Sequence, residues 1–187
     1  MRSKNALLAA SLALLIGCSS DAVSPSALSG TLAFSYSGGS SGTFSATGAL
    51  SAGTSATGYA VGGRDQTNTG TVVLASFPRT ATTSDIVSLF IPRLTSGSST
   101  VDVACVTTTC AGLSVTFGSA NAGGGSFVQL CFLTTGTLTI TTISSSRATG
   151  TFSGTGDCFS QTALGTTSAF TVTGGTFDVA IVPLLTG

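Results

Sequence analysis

The residues with the most chemistry to offer are the cysteines. Cys18 stands near the start, and Cys105, Cys110, Cys131 and Cys158 follow much later. The apolar run from Ala6 to Ile16, placed behind Arg2 and Lys4, has the build of a secretory signal. In an exported chain, four further cysteines read as disulfides, with three possible connectivities. We expect Cys105–Cys110 and Cys131–Cys158. The first pair closes the short segment CVTTTC, where a staple between two strand ends is easy. The second would tie neighbouring strands. Loop entropy ranks them at about 2 and about 3.5 kcal/mol, before strain. Redox catalysis favours CxxC at a helix start, and zinc favours CxxC pairs or histidine, so neither chemistry fits this spacing.

Acid–base catalysis has little to work with. The chain has no His, no Glu and no Trp. A Ser-His-Asp triad and a Cys-His pair are therefore excluded. The aspartates are Asp21, Asp65, Asp85, Asp102, Asp157 and Asp178, and most flank turns or strand ends, where Asp commonly bonds local backbone. A paired-Asp glycosidase would need two of them brought together. No D-x-D-x-D-G run suggests calcium. We expect no enzyme activity, no metal and no cofactor. The most polar point is Arg64-Asp65 within YAVGGRDQTNTG. Its flanking glycines and Asn68 predict an exposed loop, the kind of place where binding residues concentrate. Arg64 and Asp65 are thus the candidate exposed-loop site.

The signal run ends in Leu15-Ile16-Gly17-Cys18. This resembles the cleavage and lipidation box of bacterial lipoproteins. The resemblance implies cleavage before Cys18, acylation of that residue and anchoring through lipid. Eleven residues are too few to span a bilayer, which takes about 20, whereas two or more acyl chains hold firmly. Ser19 follows, where Asp would signal retention at the inner membrane. In the lipoproteins it resembles, that favours the outer membrane, with the domain facing the periplasm or the cell surface.

Composition then bounds the partners. Beyond residue 17, four arginines stand against six aspartates, a formal charge of −2. Four scattered arginines make no basic patch, so nucleic acid is not an expected partner. Polarity comes from 33 Thr and 29 Ser, with 25 Gly. Thr suits a pleated surface, while Gly and Ser suit turns. The surface should be uncharged, with aggregation risk at any open sheet edge. Phenylalanines, 11 in all, sit mostly at strand positions and are core candidates first.

The elements that must position these residues are strands. Residues 19–30 read as a tether that follows lipidated Cys18, and 31–187 as a single domain. Apolar-alternating runs recur at 31–37, 43–50, 57–62, 71–77, 85–91, 99–106, 112–118, 126–134, 136–143, 148–154, 167–173 and 176–182. Such spacing predicts an all-β fold after an N-terminal signal helix. It would be an antiparallel β-sandwich or small β-barrel of about 10–12 short strands. Phe177, Val179 and Ile181 should share one buried face, with Asp178 opposite. The runs DIVSLFI and SFVQLCFL are apolar on both faces, which predicts central strands covered on both sides, or strands lining a cavity. The segment Gly42-Thr-Phe-Ser-Ala-Thr-Gly48 echoes Gly150-Thr-Phe-Ser-Gly-Thr-Gly156.

In the C-terminal third, GTLTITTI from Gly136, RATGTFSG from Arg147 and VTGGTFDV from Val172 form a recurring pattern. It is similar to that of uncharacterised β-rich envelope lipoproteins, which implies a fold and a location and transfers no functional residue. The expected function is a lipid-anchored, non-enzymatic structural or interaction component of the cell envelope. Its partners would be the membrane, through the lipid, and another envelope protein. The alternative is a binder of a small apolar ligand in a lipocalin-like barrel cavity.

Overall fold

A computed structural model of the protein describes residues 29–49, 58–64, 70–92, 95–102, 110–120, 126–163 and 166–183. The signal segment, Cys18, the tether as far as residue 28, Asp65 and Cys105 lie outside these residues. The described chain is all-β. Its ten strands are β1 (Ser29–Gly38), β2 (Gly42–Ala49), β3 (Tyr59–Arg64), β4 (Thr71–Pro78), β5 (Thr83–Ile91), β6 (Gly97–Thr100), β7 (Gly112–Ala120), β8 (Gln129–Ile143), β9 (Arg147–Ser160) and β10 (Thr167–Pro183). The first begins two residues earlier than the sequence predicts, at Ser29, within the expected tether.

The twelve sequence candidates become ten strands because two predicted breaks are bulges. Runs 126–134 and 136–143 join in β8, with a register shift between Leu133 and Thr135 against β9. Runs 167–173 and 176–182 join in β10, with a shift between Val172 and Gly175. At that second shift Gly174 has φ 61°, a left-handed conformation that glycine adopts without steric cost. A bulge inserts a residue and bends the strand without ending it, so Gly and Thr clusters that read as turns here curve a long strand instead.

Strand pairing decides between sandwich and barrel. β10 pairs with β3, and β3, β4, β5, β7 and β8 follow in order. β9 then pairs with both β8 and β10, which closes a ring of seven strands. All these pairings are antiparallel except the short β10–β3 contact, Ile181 to Pro183 against Gly62 to Arg64. It lies beyond the stretch of β10 that pairs with β1. The hairpin of β1 and β2 is added on that stretch, and β6 is added along the second half of β8. Closure removes most open edges, the hazard that an uncharged Thr-rich surface would otherwise carry.

Alternation is obeyed inside the ring. Phe177, Val179 and Ile181 are buried on β10, as are Leu138 and Ile140 on β8. Asp178 points outward into an ion pair with Arg147, 2.6 Å long with both side chains about half exposed, so its contribution is small. The centre is filled by rings. Phe34 stacks on Phe44 (centroids 5.2 Å apart) and meets Phe152 edge-on at 5.8 Å. Tyr36 continues the chain to Phe117 at 4.9 Å and to Phe170 at 6.2 Å. This explains the echo between Gly42–Gly48 and Gly150–Gly156. Both segments send a buried Phe, Phe44 and Phe152, against the same ring of Phe34.

The outer wall has two characters. Across β2, β1, β10, β9, β8 and β6 it carries a row of small side chains in register: Ser45, Ala33, Thr176, Thr151, Thr139 and Ser98. Hydroxyls bond across strands at Thr142–Thr149 (2.7 Å), Thr135–Thr155 (2.9 Å) and Ser98–Thr139 (3.1 Å). Opposed pairs of this kind add about 0.2–1 kcal/mol each. Much of the threonine is thus sheet surface. Around β4, β5 and the first half of β8 the wall is more apolar, with Val72, Leu74, Ile86, Phe90, Leu130 and Phe132 half-buried, while β7 between them presents Ser114 and Thr116. The prediction that DIVSLFI and SFVQLCFL are covered on both sides is therefore corrected. Their inner faces are buried in the ring, while their outer faces stay partly open. Val128 is 65% exposed and Phe159 45%.

Tyr59 sits half-buried on this apolar wall, and burial raises its phenol pKa above the ordinary value. The folded state therefore holds the proton more tightly than the unfolded chain. Stability from this source is whole below about pH 10 and is lost as pH rises through the folded value. We expect alkaline unfolding to shift to higher pH in Tyr59→Phe, as read by urea midpoints between pH 8 and 11. Identical pH profiles for the two proteins would refute this.

Candidate functional site

The candidate residues gather at the two ends of the barrel. At the end formed by the β1–β2, β4–β5 and β9–β10 turns, Asp85 is buried at 4% exposure. It lies at the inward parity of Val87, Leu89 and Ile91. Arg79 Nε donates to Asp85 Oδ2 at 2.5 Å, and Arg79 Nη2 donates to the Tyr36 hydroxyl at 3.1 Å. The guanidinium lies 5.6 Å from the centre of the Phe117 ring, within cation–π range. Its pKa is raised further, first by the hydrogen bond to Asp85.

The other oxygen of Asp85 completes the backbone. Between Ser84 and Ile86 the pairing with β7 shifts register. Phe117 and Gly118 there oppose Asp85 alone, and Gly118 takes φ 63°. Its N–H has no ladder partner and donates to Asp85 Oδ1 at 2.9 Å. Asp85 thus both satisfies a bulge and anchors an arginine over the aromatic cluster. No buried side-chain polar atom of this network is left without a partner, which marks it as a structural clasp.

The opposite end is different. β3 ends in Arg64, β4 begins in Thr71, and the two are directly paired across the strands. Both share the inward parity of Ala60, Val73 and Ala75. The sequence predicts Arg64 in an exposed loop, and the structure corrects this. Arg64 is the last residue of β3 and is half-buried, because the strand runs past Gly62-Gly63 to meet the end of β10. Its Nη2 donates to the Ser144 carbonyl in the β8–β9 turn at 3.0 Å. Its Nε is buried without a hydrogen-bond partner, and so is Oγ1 of Thr71, a residue with no exposure. Oγ of Ser99 on β6 is a third such atom.

A buried polar group left unpaired costs about 1–3 kcal/mol. Thr71→Val keeps the shape and removes the unpaired hydroxyl. In a buffer free of small oxyanions we expect it to stabilise the fold by about 1 kcal/mol in chemical denaturation. A loss of stability would mean that the hydroxyl is satisfied by ordered water.

Cys131 and Cys158 form the expected disulfide. They are direct cross-strand partners on β8 and β9, with Cα atoms 3.9 Å apart. Cys158 lies inside β9, which runs on to Ser160 past the predicted end of that strand. Cys110 is disulfide-bonded as well, and its expected partner Cys105 falls outside the described residues. Among the described residues no three Cys or Asp side chains are grouped to hold a metal ion. Comparison with protein-family models, curated proteins and solved structures found no match for this chain.

The sequence reading missed Asp85 and Thr71. Both were visible by parity. Asp85 heads an otherwise apolar inward face, and Thr71 shares the face of Val73 and Ala75.

Proposed function

We propose that this protein is a lipid-anchored component of the bacterial cell envelope with a non-enzymatic structural or interaction role. The observation that carries the reading is the distribution of apolar side chains. The centre of the ring is occupied by the protein's own aromatic rings, while apolar residues remain on the outer wall around Val128, Phe132 and Phe159. Contact chemistry is therefore offered outside the barrel. An apolar interior with hydroxyls outside is also the reverse of a lipid-spanning barrel, whose interior is polar. The membrane link rests on the signal run and Leu15-Ile16-Gly17-Cys18.

The same packing weighs against a lipocalin-like binder of a small apolar ligand, since Phe34, Tyr36, Phe44, Phe117, Phe152 and Phe170 fill the space that such a ligand would need.

The test is expression of the full chain in a bacterium that processes lipoproteins, followed by mass spectrometry of the N-terminal peptide. A peptide starting at Cys18 and carrying diacylglycerol and an amide-linked acyl group is expected. Cys18→Ala should move the protein out of the membrane fraction. An unmodified Cys18 would sink the anchoring reading. A native mass spectrum that releases a bound apolar compound on denaturation would favour the binder.

A further inference from the structure

We propose that Arg64 and Thr71 form a binding site for a small carboxylate at the end of the barrel. Three observations converge on this pair. Arg79 is matched by Asp85 and Arg147 by Asp178, whereas Arg64 meets no carboxylate among the described residues and spends one donor on the Ser144 carbonyl. Its Nε–H is shielded from solvent and unpaired, and Oγ1 of fully buried Thr71 is unpaired as well. The two residues are direct cross-strand partners, so their Cβ atoms lie about 5 Å apart on the same inward face.

The chemistry of the two orphans selects the ligand. Guanidinium Nε–H only donates, and a threonine hydroxyl donates to any acceptor in reach. A group that accepts from both satisfies both. The positive charge favours an anion over water, because charge-assisted hydrogen bonds are the stronger ones. The planar guanidinium suits a flat carboxylate. Within this pair Arg64 supplies one positive charge, which matches the single negative charge of a carboxylate better than doubly charged phosphate. Half-exposed Arg64 gives the approach from solvent. Such a carboxylate could be a free small acid or the terminus of a peptide.

The experiment uses the nitrogen-15-labelled full chain in detergent micelles. Arginine Nε–Hε resonances are followed by NMR while formate is added, against chloride at matched ionic strength. A saturable shift confined to Arg64, absent with chloride and weaker with phosphate, is expected. Thr71→Val should weaken formate binding about tenfold, the worth of one such hydrogen bond. Arg64→Gln should abolish it. N-acetylglycine serves as a second probe. Tighter binding than formate assigns the site to a peptide terminus, and weaker binding assigns it to a free acid. No shift at Arg64 in the unaltered protein, an equal shift at Arg79 and Arg147, or an unchanged affinity in Thr71→Val would overturn the proposal.

Discussion

Removing the Cys131–Cys158 bridge, as the double alanine variant, is expected to lower stability by about 3.5 kcal/mol. The two cysteines are 27 positions apart in sequence, and loop-closure entropy gives about this value for a loop of that length. The bridge joins β8 to β9, the strand that completes the ring by linking β8 to β10. Without it the unfolded chain gains freedom, while the ladder on either side of the lost bond remains. The variant should therefore fold to the same barrel with a lower denaturant midpoint and a somewhat larger denaturant slope, because its unfolded state is less compact. Guanidinium unfolding measures both. Breaking the Cys110 bridge should cost less, about 2 kcal/mol if its loop is as short as CVTTTC. The reverse ranking would mean that strain or residual structure outweighs loop entropy.

The second large effect is at Asp85. Asp85→Ala removes the acceptor of the Gly118 N–H and the partner of Arg79 together. The guanidinium can turn to water, since the Arg79 side chain is 45% exposed, whereas the Gly118 N–H lies in the partly buried bulge and has less access to it. A partly buried donor left without its acceptor and the void left by the carboxylate together should cost about 2–3 kcal/mol. Asp85→Asn separates the two contributions. Its amide oxygen still accepts from Gly118, so about half the loss should return. Urea midpoints of the two variants decide the matter. Equal losses would place the energy in the ion pair, and no loss in either would deny the network any part in stability.

Much of this architecture was legible in the sequence. Period-two alternation placed Phe177, Val179 and Ile181 inward and Asp178 outward, because side chains must alternate along a strand whatever it pairs with. The Cys131–Cys158 pairing followed from local order, since successive strands in a meander are neighbours. Strand ends were less legible. Thr134 and Gly174 carry the composition of turns, and only the register of neighbouring strands makes them bulges. The wall around Phe90 and Phe132 misled for a related reason. An apolar run on both faces states that water is disfavoured there and leaves open what does the covering. The sequence around Arg64 reads as a loop, whereas the residue ends β3. Its interest lies in the long-range meeting of β3, β4 and the β8–β9 turn, which no local pattern encodes.

The place of β10 in the ring has a consequence for how the protein is made. This strand is the last of the ten in chain order, yet it is a partner of β1, β3 and β9. Until it emerges, three earlier strands wait with an unfilled edge, and the contact between β1 and β10 spans nearly the whole described sequence. Topologies with such distant pairings fold slowly. A nascent chain of this kind stays open throughout synthesis. Under the export proposed above, late closure would keep the chain threadable until the far side of the membrane is reached.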